Sequence, residues 1–378
     1  MLKHWLQPPA IAGDPSGQFA ERTVGRELLP TSYRQRDLKR VQIAIIGLDG
    51  DLAKKTRLAL YSMSWPFENL GLMDLGDLRS SGPEFLTPLV RELMVGGIVP
   101  LLIGDNSDAF RAQYQAFQQL KPQVSLLMID QAIQLSPEKA RVVAGQCLNP
   151  AVYKQRQKLY HLAHIGAQQQ LVDPRTFDLF DQKHFDYLRL GAARRELSEA
   201  EPLLRDADLV GFDLAAIRKS DAPAQKGYNP AGFFIEEAAQ LCRYAGLSDK
   251  LRSFGIFGLS TSAGLSVEEN NSAVEALTTQ TATAAAQLIW YFCDGFHNRW
   301  GDFPASNKGL TEYIVESPNY NQLTFWKSGR SGRWWVQSPA FDRRGEERHR
   351  LIPCSYQDYE AATKGEIPER LLHSFRRY

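Results

Sequence analysis

Apolar residues along this chain gather into short continuous runs separated by amphipathic stretches. VQIAIIGLD (41–49), VPLLIGD (99–105), VSLLMID (124–130), KLYHLAHIGAQ (158–168) and LRSFGIFGLS (251–260) read as buried strands. LGLMDLGDL (70–78) reads as a short strand and turn, and LLRDADLVGFDLAAI (203–217) contains a strand ending near Asp213. Between the strands, residues 52–62, LTPLVRELMV (86–95), DAFRAQYQAFQQL (108–120), FDLFDQKHFDYLRLG (177–191), GFFIEEAAQLCRYAGL (232–247) and residues 267–292 carry helical spacing. Pro88 lies early in its helix, and glycines at 96–97, 191 and 246 stand at helix ends. This alternation predicts a mostly parallel sheet covered on both faces. Ligands of such sheets bind beyond the carboxyl ends of the strands. Asp105, Asp130 and Asp213 each end a strand, so the pattern predicts that they converge on one crevice.

The two ends of the chain break the alternation. Residues 1–40 are rich in Pro, Gly, Arg and Gln and read as an irregular arm with room for one short helix. After the α/β segment 41–304, EYIVES, LTFWKSGRSGRWWVQSP and LIPCS read as antiparallel strands, with Gly329 to Gly332 as a hairpin turn. Residues 305–378 are therefore expected to form a β-rich appendage packed on the core. It is aromatic and basic, and Trp326, Arg330, Arg333, Trp334 and Trp335 are its candidate interface residues. The same side chains suit packing on the core, and stacking on single-stranded nucleic acid is the least favoured of the three uses.

Composition narrows the class without naming a function. Charged residues make up 23% and aromatics 11%, as in a globular protein with a substantial core. Net charge is +1, which favours neither nucleic acid nor acidic membranes. No apolar run approaches a membrane span, and the start lacks the pattern of a secretory signal. Cys147, Cys242, Cys293 and Cys354 have no paired spacing, which fits reduced thiols in a cytoplasmic protein.

Three strand ends carry the chemistry: Gly104-Asp105-Asn106-Ser107, Asp130-Gln131-Ala132-Ile133-Gln134 and Gly211-Phe212-Asp213-Leu214-Ala215. In order, spacing and strand context they resemble the GGDHS, DAHxD and SFDxDxxDP motifs of the ureohydrolases (arginase, agmatinase, formimidoylglutamase). Ala222-Pro223 followed by Asn229 to Glu237 resembles that family's AP…PGGLxxxE segment and places Glu237 on its glutamate. SDAPA (220–224), RYAGLSDK (243–250) and RWW (333–335) are similar to a bacterial branch labelled formimidoylglutamase or arginase-like. The resemblance spans about residues 40–300 and implies a three-layer arginase-like α/β fold. It also implies a binuclear metal site, with two divalent ions roughly 3.5–4 Å apart and an activated water.

The departures bear on function. Of the six metal ligands the resemblance implies, only Asp130 and Asp213 remain, both at bridging positions. The others are replaced by Asn106, Ala132, Gln134 and Ala215, and Arg218-Lys219 stands where Asp-Pro is expected. Alanines offer no donor, and neutral amides are poor ligands for manganese. Two facing carboxylates are then expected to take up a proton, or to rely on Arg218 or Lys219 as counter-ion. The expected function is a catalytically inactive ureohydrolase-like pseudoenzyme, without a cofactor, that binds a protein partner or forms a scaffold, with homo-oligomerisation also implied. One alternative is an amidine C–N hydrolase in which Asp130 and Asp213, helped by Asn106 and Gln134, hold one weakly bound Mg or Mn ion. The other is a metal-free sensor in which Asp130, Asp213 and Glu237 bind a cationic small molecule. Ser107 lacks a nucleophile elbow and a local histidine. His161 and His164, three apart on a strand, are expected to face opposite ways, and Cys147 reads as a structural thiol.

Overall fold

The structure, a computed structural model, describes residues 2–9, 19–48, 50–80, 82–120, 123–138, 146–154, 159–227, 229–258, 271–317, 321–338, 347–367 and 369–376. Nine strands form the central sheet: β1 (Leu6–Gln7), β2 (Ile43–Gly47), β3 (Leu72–Leu78), β4 (Val99–Ile103), β5 (Val124–Ile129), β6 (Leu159–Ala167), β7 (Asp186–Arg189), β8 (Leu209–Asp213) and β9 (Ser253–Phe257). Their order is β1-β3-β2-β4-β9-β8-β5-β6-β7. Only β1 runs antiparallel, against β3.

The near-continuous apolar runs follow from burial on both faces. Successive side chains alternate between faces. Ile43, Ile45, Leu101, Ile103, Leu127, Ile129 and Phe212 join one core cluster. Ala44, Ile46, Leu102, Leu126, Met128 and Leu209 join the other. Ten helices are used below: α1 (Val24–Glu27), α2 (Gln35–Leu38), α3 (Gly50–Tyr61), α4 (Pro83–Val95), α5 (Asp108–Gln118), α6 (Pro174–Gln182), α7 (Leu190–Arg195), α8 (Ala200–Asp206), α9 (Ile235–Gly246) and α10 (Asn271–His297). Helices α3, α9 and α10 pack together on the first cluster, and α4 and α5 on the second. The result is the expected three-layer α/β architecture. No described helix is long and apolar enough to cross a membrane.

Two local expectations are corrected. FDLFDQKHFDYLRLG is not one helix. α6 stops at Gln182, His184 takes a left-handed φ of 54°, and Asp186–Arg189 becomes the edge strand β7 beside β6. Its Phe177, Phe180 and Tyr187 do meet in one aromatic cluster, which is why the spacing resembled a helix. The N-terminal arm is also more than irregular, since it supplies β1. The predicted helix over 267–292 begins, within the described residues, at Asn271. The basic run 343–350 is described only from residue 347.

The C-terminal segment forms a second sheet of four antiparallel strands: β10 (Leu310–Ser317), β11 (Asn321–Ser328), β12 (Trp334–Gln337) and β13 (Leu351–Cys354). Two helices follow, α11 (Tyr356–Thr363) and α12 (Glu369–Arg376). Arg205 of α8 ties this sheet to the core. Its guanidinium donates to the carbonyls of Trp334 (2.9 Å) and Cys354 (3.1 Å), pairs with Glu201 and lies 4.4 Å from the Trp335 ring.

Candidate functional site

Strands β8 and β5 are neighbours, and Phe212 stands in register with Ile129. Asp213 and Asp130 therefore leave adjacent strand ends together. Both are buried, 6% and 3% exposed. Each accepts a backbone N–H from its own turn: Asp130 Oδ1 from Gln131 (2.6 Å) and Asp213 Oδ1 from Ala215 (3.0 Å). β9 supports the second carboxylate. A Cβ on Gly258, where φ is +90°, would come within 2.1 Å of Asp213 Oδ1, so this strand end takes only glycine.

Gln134 acts on both acids. Its Nε2 donates to Asp130 Oδ2 at 2.6 Å, and its side chain also lowers the pKa of Asp213. Its Oε1 accepts from Ser107 Oγ at 2.7 Å. The Ser107 hydroxyl is thus spent on positioning Gln134. Burial raises the pKa of both carboxyls, and the charge of Asp213 raises that of Asp130 further. Hydrogen bonds to Gln134 and the turn amides, and for Asp213 the charge of Lys226, oppose the shift. The pair titrates as a unit that keeps a proton above the usual carboxylate range.

The counter-ion expected from Arg218 or Lys219 is corrected. Arg218 pairs with Asp221 (2.8 Å) and lies over Phe234, while Lys219 donates to the carbonyls of Gln225 and Gly227. The cation acting on Asp213 is Lys226, whose Nζ also donates to the Asp105 carbonyl. Sequence reasoning missed Lys226 because it comes from the loop after β8, whose path no periodicity encodes. Cys147 is buried close enough for Asp130 and Asp213 to act on it. Burial first, then those charges, keep it a protonated thiol.

The remaining predicted residues lie elsewhere. The Asp105 carbonyl accepts from Gly258 N, which ties the first motif to the end of β9. Asn106 is exposed and caps the start of α5 through the Asp108 N–H (3.0 Å). Glu237 accepts from Phe234 N (2.8 Å) at the start of α9 and pairs with Arg194 (3.1 Å). His161 and His164 do find different partners, Asp186 (3.1 Å) and the Ala132 carbonyl (3.2 Å). Burial lowers the His164 pKa to about 4, so it stays neutral at physiological pH. Of the interface candidates, Trp334 and Trp335 are withdrawn from the surface. Trp334 stacks on Tyr359 at 4.5 Å, and Trp335 packs with Phe303 and Leu351. Arg333 pairs with Glu201 and is mostly buried, Trp326 is half-buried, and Arg330 is exposed.

No protein-family model matches this sequence, and no curated protein matches it. Solved structures do match. A formiminoglutamase of Trypanosoma cruzi, solved with two Mn²⁺, superposes with a TM-score of 0.57 at 19% identity, covering 72% of this chain and 97% of that one. A formimidoylglutamase of Bacillus subtilis gives 0.57 at 16% identity, over 69% and 88% of the two chains. An agmatine ureohydrolase of Thermoplasma volcanium gives 0.54 at 17%, over 68% and 90%. This chain has an arginase-like fold. Its carboxylate pair lies at the carboxyl edge of the parallel strands, where ligands of open α/β sheets bind.

On that fold, the residues around the pair do not suit two divalent ions. Ala132 and Ala215 bring only backbone, Gln134 points its N–H donors at the carboxylates, and Lys226 supplies positive charge. Among the described residues, no group of three His, Cys, Asp or Glu side chains is arranged to hold a metal ion. The arrangement neutralises two buried acids from within the protein.

Proposed function

We propose that this chain is a non-hydrolytic protein built on the arginase-superfamily fold, which acts by binding a protein partner. The observation that carries the loss of hydrolysis is the Gln134 amide, which donates to Asp130 where a metal ligand is expected and also helps hold down the pKa of Asp213. Its N–H groups satisfy oxygen lone pairs that metal ions would otherwise use, and an N–H cannot coordinate a cation. The sensor reading is less well supported, because Glu237 is already paired with Arg194. A partner would meet the exposed part of the appendage near Arg330, since Trp334 and Trp335 are used internally.

The deciding experiment is metal content by mass spectrometry after expression and purification with Mn²⁺, beside an Asp130→Ala/Asp213→Ala control. Hydrolysis of formimidoylglutamate, agmatine and arginine is assayed on the same samples. We expect equal trace metal in both proteins and no turnover. One or two ions in the wild type, lost in the control, together with urea or formamide release, would establish the amidine-hydrolase reading instead.

A further inference from the structure

A second polar cavity lies at the opposite end of the sheet from the carboxylate pair. It measures about 440 Å³ and is lined by Asp249, Lys250, Arg252, Pro304, Ala305, Glu347 and Arg348. The loop Asp249–Arg252 leads into β9, and the turn Glu347–His349 leads into β13. Core and appendage therefore each contribute a wall.

The acids of this cavity are already engaged. Asp249 accepts the Asp302 N–H at 3.0 Å, and Glu347 pairs with Arg350 at 3.1 Å. The cations are not all satisfied. Arg348 is 8% exposed; one nitrogen contacts Asp208 and its guanidinium lies 5.3 Å from the Phe117 ring, but its buried Nη1 has no hydrogen-bond acceptor. Arg252 is exposed, and no described side chain pairs with its guanidinium. Lys250 is held by Asp206 at 2.6 Å, with His349 beside it. Behind them, Arg299 also keeps a buried nitrogen without an acceptor. Burial disfavours the Arg299 cation; Asp249 opposes that shift, while Arg252 and Arg333 add to it.

We propose that this cavity binds the phosphoryl group of a small phosphorylated molecule. Open N–H donors on guanidinium groups suit a tetrahedral anion with several oxygens, and guanidinium forks match phosphate geometry. A dianion beside Arg252 would also offset the repulsion between Arg252 and Arg299. The cavity volume lies in the ordinary range for ligand sites, which leaves room for an organic body beyond the phosphoryl group. The proposal is independent of the carboxylate pair.

The test is calorimetric titration of the full chain with inorganic phosphate and with adenosine monophosphate, against sodium chloride at matched ionic strength. Saturable binding of phosphate is expected. Arg252→Ala should weaken it by about tenfold or more, the loss of one charge-assisted contact. That variant should leave the melting temperature without ligand unchanged, because no described side chain pairs with Arg252. Tighter binding of adenosine monophosphate assigns the site to an organic phosphate, and equal binding assigns it to free phosphate. Asp130→Ala/Asp213→Ala should bind phosphate like the wild type, so the two proposals fail separately. Heat no greater than that of chloride, or equal binding by Arg252→Ala and wild type, would overturn the inference.

Discussion

At the scale of single residues, Asp130 and Asp213 are a stored repulsion held in check by Gln134, Lys226 and a retained proton. Asp130→Asn removes a charge and keeps the shape. The native pair binds protons more tightly than the unfolded chain does. Wild-type stability therefore falls as pH rises from the unfolded carboxyl range toward the raised native value, and the full cost is present above it. Asp130→Asn should thus melt above wild type at pH 8, by roughly 2 °C per kcal/mol of repulsion relieved. The advantage should shrink as pH falls toward about 4. His164 acts in the other sense. Its native pKa of about 4 lies below the ordinary value of 6.5, so its contribution is lost as pH falls from 6.5 through 4. The variant should keep that acid limb unchanged. Melting curves across pH 4–8 test both, and an Asp130→Asn protein less stable than wild type at pH 8 would contradict the repulsion. The convergence of Asp130 and Asp213 was legible in the sequence because each ends a continuous apolar run. The hydrogen bond from Gln134 to Asp130 was not, since a neutral amide in a turn carries no signal of its partners.

At the scale of elements, the largest unanticipated feature joins α3 to β3. Arg57 is 1% exposed and reaches Asp74 at 2.6 Å, Asp77 at 2.5 Å and the Gly76 carbonyl, while the Tyr61 hydroxyl donates to Asp74. LGLMDLGDL read only as a short strand and turn, because its two aspartates interrupt the apolar pattern. A buried guanidinium removes the reason for that interruption, and β3 runs through both acids. Arg57→Ala would leave two carboxylates buried without their cation. It should cost about 3–5 kcal/mol in urea unfolding. A loss below 1 kcal/mol, about the worth of an exposed pair, would show that water reaches the site. β7 was missed for a different reason. A four-residue edge strand is too short for its period to be told from a helix, whereas the inner strands are apolar on both faces and announce themselves.

At the scale of the molecule, the two sheets are coupled through α8. Arg205 donates two hydrogen bonds to the appendage, and the buried Trp335 gives its ring to the same guanidinium. Arg205→Ala should lower unfolding free energy by about 2–4 kcal/mol, from lost charged hydrogen bonds and buried carbonyls left without donors. Limited proteolysis should then cut first within 305–378. Unchanged stability and an unchanged cleavage order would show that the appendage holds without this anchor.

The strand order also governs how the chain is made. β9 is the last strand of the large sheet to be synthesised, yet it lies between β4 and β8. Until it emerges, the nascent chain holds two half-sheets, β1-β3-β2-β4 and β8-β5-β6-β7, each with one unsealed edge. An unpaired edge is a template for association with another chain. Sealing requires β9, and α10 then packs on both α3 and α9 to bind the halves together. Translation must therefore pass residue 297, the end of α10, before the fold can lock, and until β9 emerges both edges stand open to chaperones and to neighbouring chains.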